Sequence, residues 1–294
     1  MLTRIQSLYV VGLLLLLTAI ILVIYTHQRE REFDAYHRTL ENALVQGAAR
    51  ALTLQVAERQ RNVNLFAEEY GRTIARLVQH PDDEQTETWL QRRLRQRFED
   101  FLTFTVAGPG GQPLLPNFDM RIGEVCQRDL GHFFSQIKAG SRRPGNRIFI
   151  HPQPGMYHYD VMAPVAIAGG STDIFFVSFR PDALAQTLRS FQLPGHQLLL
   201  TRRSDDPLIE IAAVGTRDRL KRPPRLSDAE LKQVRAAANI PGTDWRLIDL
   251  PDPTLRAANR RHLLREAWTL FGVVLLAAGI MLLLVWRWTR RCPD

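Results

Sequence analysis

The chain has 294 residues, of which 45% are hydrophobic and 23% charged, and a formal net charge of +8. This is the composition of an ordinary globular protein, so any membrane signal has to come from clustering of the apolar residues. Its two cysteines, Cys126 and Cys292, leave no cysteine-based metal or redox pattern.

The clustering is found at both ends. Residues 1–7 form a short basic tail, and Leu8 to Ile24 carries no charge; Ala267 to Trp286 is likewise uncharged. Each run is close to the roughly 20 apolar residues a helix needs to cross about 30 Å of hydrocarbon. Tyr25, Thr26, His27 and Gln28 follow the first run without a small-residue cleavage site, so residues 8–27 read as an uncleaved anchor and 267–286 as a second span. Arg4, Arg287, Arg290 and Arg291 lie beyond the spans. They place both termini, including the tail 287–294, in the cytoplasm, with the long intervening segment on the other side of the membrane. The two cysteines then lie on opposite sides and cannot pair, and Cys126 is expected to be buried. The mild positive excess of the segment between the spans suits anionic lipid or a solvated arginine-rich face. No nucleic-acid partner is expected there.

Residues 28–79 lack proline until the helix end and are rich in Ala, Leu, Glu, Gln and Arg, which predicts one long helix. Leu40, Leu44, Gly47, Ala51 and Leu54 mark its first apolar stripe, and Val63, Phe66, Tyr70, Ile74, Leu77 and Val78 extend it. Gly47, Ala48, Ala49 and Ala51 would permit close approach of a second copy in a parallel homodimer, or the stripe packs on its own domain. His80-Pro81-Asp82-Asp83 ends the helix, and Glu84 to Phe98 forms the next one around Trp89, Leu90, Leu94 and Phe98.

Short strands follow. Leu102 to Ala107 alternates, Gly108 to Gly111 turns, and Gln112 to Leu115 returns. After a loop and short helix within 123–139, strands are predicted over 147–151, 157–166 and 172–180, with Gly169-Gly170 as a turn, and a helix over 181–191 starting at Pro181. This order is PAS-like, and the unit spans 80–192. A smaller unit, 193–252, holds strands over 197–202, 208–214 and 245–250. It also holds a helix from Asp228 to about Ala238, capped by Ser227 with Glu230 three residues on. Residues 253–266 connect to the second span. The fold class is therefore α+β: two transmembrane helices flanking an antiparallel-sheet domain with a long N-terminal helix and a smaller membrane-proximal α/β unit.

Three segments sharpen this. Tyr157-His-Tyr-Asp-Val-Met-Ala-Pro-Val165 looks like a strand ending in an Ala-Pro-Val element, Asp173 to Leu184 like the next strand and helix start, and Ile240 to Leu247 like the strand approaching a second membrane helix. Together with the layout they resemble the extracytoplasmic Cache sensor domains of bacterial chemoreceptors, histidine kinases and diguanylate cyclases. The resemblance covers most of the segment between the spans. It implies a PAS-like fold, a small-molecule ligand in the membrane-distal unit, no catalysis, and signalling through a cytoplasmic output. Residues 287–294 are too short to be that output, so the expectation is either a separate effector, such as a diguanylate cyclase, a kinase or a chemoreceptor, or the sensory half of a truncated or split receptor. Two departures matter. The Arg-x-Trp-Tyr element of many amino-acid-binding members is missing, and Ser178 stands where they carry an Asp, so an amino-acid ligand is not implied.

Strand alternation sorts the candidate ligand contacts. Tyr157 and Tyr159 share one face with Val161 and Ala163, while His158, Asp160 and Met162 share the other. With the tyrosines facing the pocket, Arg147 and His151 supply positive charge for a carboxylate, and Arg121 is a further source. With the other face inward, Asp160 meets a cation. Asp173 and Ser178 complete the set. No catalytic residue, cofactor or metal site is expected, because His151 and His158 have no common metal-ligand spacing and no nucleophile-elbow, phosphate-loop or His-Glu-x-x-His motif occurs. A different class of function, an envelope scaffold or assembly protein using the same domain to bind a protein, is the alternative.

Overall fold

The protein is described from a computed structural model, which covers residues 4–115, 124–140, 148–151, 156–167, 172–204 and 207–291. The chain divides into two compact units, one of residues 1–40 with 252–294 and the other of residues 41–251.

The first unit contains the amino-terminal part of α1 (Arg4–Glu69) and α7 (Pro253–Arg291). Both helices include stretches long and apolar enough to cross a membrane. Their large side chains lie bare: Tyr9 is 76% exposed, Val23 68%, Trp268 70% and Leu276 68%. In water such a surface would be an aggregation liability, whereas lipid covers it without cost. Nearer the helix ends the unit becomes polar, with Arg256 paired to Asp34 and Arg260 to Glu30.

The second unit is built around the rest of α1. Its buried stripe is Val45, Ala48, Leu52, Val56, Val63 and Phe66. The early part is offset from the stripe predicted at Leu40, Leu44, Gly47, Ala51 and Leu54: Leu54 is 70% exposed, and β-branched Val45 and Val56 take the inward positions. Ala48 and Ala49 are spent on the unit's own core, and Gly47 faces the Phe191 ring. The predicted single helix is broken at Tyr70, after which α2 (Gly71–Gln79) buries Ile74 and Leu77. Asp83 caps α3 (Glu84–Arg97), accepting hydrogen bonds from the Thr86 backbone N–H at 3.0 Å and the Thr86 hydroxyl at 2.6 Å.

Two antiparallel sheets occur among the described residues. In the first, β1 (Phe101–Ala107), β2 (Tyr159–Ala166) and β3 (Thr172–Phe179) pair in the order β1-β3-β2. Phe104, Val106, Tyr159, Val161, Ala163, Phe175 and Val177 line the face that joins the main core with α1, α2 and α3. Phe66 of α1 stacks on Phe175 with 5.8 Å between ring centroids. The opposite face packs Ala107, Met162, Ile174 and Phe176 against Leu130 and Phe133 of α4 (Glu124–Lys138). The predicted return strand after Gly111 is reduced to an isolated bridge between Ala107 and Pro113, and the strand predicted over 147–151 to bridges at Ile148 and His151.

In the second sheet, β4 (His196–Arg202), β5 (Ile209–Ala212), β6 (Gly215–Thr216), β7 (Ala237–Asn239) and β8 (Trp245–Pro251) run in the order β6-β5-β4-β8-β7. It is preceded by α5 (Asp182–Phe191), whose N-cap rather than first residue is Pro181. The capping box at Ser227 and Glu230 forms as predicted, but α6 (Asp228–Leu231) stops after one turn. Residues 237–239 pair with β8 instead, because the sheet edge offers hydrogen bonds that a solvent-facing helix end lacks.

Candidate functional site: a buried carboxylate between two histidines

Parity along β2 turns Tyr159 to the core against α1, and His158 and Asp160 to the other side. Register does the rest. Asp160 pairs directly with Ser178 on β3, and the Ser178 hydroxyl donates to Asp160 Oδ1 at 2.7 Å. The backbone N–H of His151 donates to the His158 carbonyl, forming an antiparallel bridge that stacks the two imidazoles with centroids 5.0 Å apart. His151 Nε2 lies 2.8 Å from Asp160 Oδ2, and His158 Nε2 lies 3.7 Å from Asp160 Oδ1. His158 Nδ1 meets the Met156 carbonyl at 2.7 Å.

All four groups are buried. Burial by itself raises the Asp160 carboxyl, but the His151 and His158 imidazoles and the Ser178 hydroxyl outweigh it and hold the group below the usual carboxylate range. Burial pushes His158 below the ordinary histidine value, with Asp160 pulling the other way. Asp129 of α4 is raised by burial, and the charges of both His151 and Asp160 act on it. The arrangement therefore holds one carboxylate ionised between two imidazoles. Each of His151, His158 and Asp160 brings a potential ligand atom within 4.8 Å of the others.

The remaining sequence candidates fall elsewhere. Arg121 and Arg147 lie outside the described residues, as does the side chain of Cys126. Tyr159 is a core residue, stacked on Phe179 and donating from its hydroxyl to Asp100 Oδ2 at 3.4 Å. Tyr157 is half-buried beneath the Arg217 guanidinium. Asp173 is buried at the far end of the ladder, opposite Val165 and on the other strand parity from Ser178. So the structure joins His151, Asp160 and Ser178, and leaves Tyr157, Tyr159 and Asp173 apart from them.

Several functional-looking groups escaped the sequence reading. Glu210 on β5 is fully buried and accepts from the Ile150 backbone N–H, the Trp245 indole N–H and the Arg202 guanidinium. Glu41, His196 and Asp249 form another buried cluster, with His196 Nδ1 2.8 Å from Asp249 Oδ2. Beside β4, β7 and β8 lies an open groove of about 520 Å³, lined by polar Arg202, Arg203, Arg246 and Asn239 and by apolar Leu226, Leu231 and Val234.

A sheet with a long helix on one face, a shorter helix on the other, and a second antiparallel sheet following in sequence is the layout that the sequence resemblance to Cache, or PAS-like, domains implied. Among solved structures, the chain is similar to the ligand-binding domain of the Pseudomonas aeruginosa amino-acid chemoreceptor PctC in complex with GABA, at 16% identity and a TM-score of 0.45. That match covers 72% of this chain and 99% of the other. It is similar also to the sensor domain of the V. cholerae histidine kinase DctB, at 12% identity, a TM-score of 0.47, and coverage of 74% and 98%. The sensory domain of the Campylobacter jejuni chemoreceptor Tlp3 gives 11% identity, a TM-score of 0.47, and coverage of 78% and 98%. No family model and no curated protein matches the chain.

Proposed function

We propose that the chain is a membrane-anchored, extracytoplasmic sensory input module that binds a small ligand at the β2–β3 face carrying Asp160. The observation that supports this reading is the buried His151–His158–Asp160–Ser178 cluster. Buried ionisable groups are often no more stabilising than an apolar core of equal volume, and groups with perturbed pKa values cluster at functional sites. Ligand occupancy would draw α4 and the 148–151 segment onto the sheet, while α1 packs on the sheet's other face. Control of signalling requires that the ligand bind one of two arrangements more tightly than the other. The signal would pass through the spans to a separate cytoplasmic effector, with both termini cytoplasmic and the chain acting as a homodimer. No enzymatic step is proposed.

The test is thermal unfolding of the full chain in detergent, screened against organic acids, amino acids, amines, polyamines and divalent metal ions. A ligand that binds only the folded state raises the melting temperature with concentration. A saturable rise that Asp160→Asn abolishes supports the sensor. A well-folded sample that responds to nothing in the screen favours the second reading, a protein-binding scaffold, for which the open groove beside β4, β7 and β8 is the surface to examine.

A further inference from the structure

We propose that His151, His158 and Asp160 bind one divalent first-row transition-metal ion through two imidazole nitrogens and a carboxylate oxygen. A carbonyl oxygen only accepts hydrogen bonds, so His158 Nδ1, at 2.7 Å from the Met156 carbonyl, carries the proton of that bond. In the neutral ring Nε2 then offers a lone pair, and 3.7 Å from it stands Asp160 Oδ1, another acceptor. A second proton on His158 would answer this. It would also place a buried imidazolium in a ring stacked 5.0 Å from that of His151, where desolvation disfavours charge. A cation between Nε2 and the carboxylate satisfies both without that cost.

The geometry suits a small ion. Zinc bonds to nitrogen and oxygen of about 2.0–2.2 Å place neighbouring tetrahedral ligands about 3.3–3.6 Å apart. The Asp160 carboxylate oxygens stand 3.7 Å from His158 Nε2 and 2.8 Å from His151 Nε2, on either side of that range; the shorter contact is a hydrogen bond that His151 gives up, its proton moving to Nδ1, when a metal takes Nε2. The outer contacts are those a metal site needs: a backbone carbonyl fixes the His158 tautomer, and the Ser178 hydroxyl orients the carboxylate. Side-chain exposures of 8%, 4% and 3% close the cluster to solvent, which disfavours an organic cation there. Imidazole with one carboxylate selects zinc, nickel, copper or iron over magnesium and calcium, which prefer all-oxygen sites. Two neutral imidazoles and one carboxylate leave a bound dication with a net charge of +1. The histidines escape a spacing rule because they meet across a β-bridge rather than along one element.

That this ion is the sensed ligand rests on the sensor reading above; that it binds does not. The test is equilibrium dialysis of the full chain in detergent against Zn²⁺, and separately Mg²⁺, with bound metal counted by mass spectrometry. One Zn²⁺ per chain and no Mg²⁺ is expected. His158→Gln should weaken Zn²⁺ by more than the about 10–100-fold that loss of an outer partner costs, and Ser178→Ala by about 10-fold. His196→Gln, in the other cluster, should leave the count unchanged. Absence of stoichiometric Zn²⁺, or binding indifferent to His158→Gln in a protein with wild-type melting temperature, overturns the proposal. If Zn²⁺ fails to bind while an organic ligand stabilises the chain, the metal site falls and the sensor stands. If Zn²⁺ binds but leaves the hydrogen-exchange protection of α4 and α1 unchanged, the site stands and metal sensing falls.

Discussion

Glu210 shows how far a single side chain can hold this fold together. It sits in the middle of β5 with no exposed surface. Its Oε1 faces the Arg202 guanidinium at 2.6 Å, and its Oε2 accepts from the Ile150 N–H at 3.0 Å as well as from the Trp245 indole. Arg202 in turn donates to the Ile150 carbonyl and lies over the Phe149 ring. Glu210 thereby anchors the segment that carries His151. Removing it leaves a buried indole N–H and a backbone N–H without acceptors. Each such loss costs about 1–3 kcal/mol, while the arginine, 32% exposed, recovers part of its solvation. Glu210→Ala should therefore lower unfolding free energy by about 3 kcal/mol, read from urea unfolding, and Glu210→Gln by less. The sequence hid this residue: in Ile-Glu-Ile-Ala, alternation turns the glutamate toward solvent, and only the packing of a distant segment over that face buries it. Asp160 was legible by the same alternation, since its parity set it with His158 and apart from Tyr159. Ser178 and His151 were also legible as candidates, but their pairing with Asp160 was not, because cross-strand register and an isolated bridge are tertiary facts.

At the scale of the element, local chemistry and tertiary demand can be separated. The boundaries of α3 follow from residues the sequence displays: proline at 81, Asp83 as cap, Leu90 and Leu94 inward. The fate of α6 does not, since its capping box is intact and its length is set by the pairing of β7 with β8. The offset of the α1 stripe has a similar origin. Two registers of apolar residues run along that helix, and burial in the domain's main core selects the one holding Val45, Leu52 and Val56. The Asp83 cap makes α3 sensitive to acid. Hydrogen bonds from the Thr86 hydroxyl and backbone N–H hold the Asp83 carboxyl below its ordinary value. A carboxylate whose pKa is depressed on folding stabilises fully above its unfolded pKa, about 3.9, and loses that contribution as pH falls through the folded value. Exchange of the Thr86 amide should accelerate as pH drops through that window, relative to its intrinsic rate. Asp83→Asn, which can still cap, should remove the pH dependence while keeping protection at neutral pH.

The whole molecule poses a question of sides. Two helices with bare apolar stretches bracket a domain whose own core is closed, and the domain's ion pairs and polar caps are those of a protein in water. The arginines beyond the spans, Arg4, Arg287, Arg290 and Arg291, outweigh the acidic residues there, and short flanks of this kind govern orientation. Arg256, Arg260, Arg261 and Arg265 precede the second span and would argue for the opposite arrangement. However, Arg256 and Arg260 are paired with Asp34 and Glu30, and a long segment translocates largely regardless of its charge. The expected topology is therefore a domain outside the cytoplasm and two ends within it. With Cys126 and Cys292 changed to serine, a cysteine at exposed Arg92 on α3 should react with a membrane-impermeant maleimide in spheroplasts. One introduced at Gln6 should react only after the membrane is opened. The reverse labelling pattern would place the His151–Asp160 cluster in the reducing cytoplasm. There free transition metals are scarce, so the metal site would lose its source of ligand, and an extracytoplasmic sensor would be ruled out by its location.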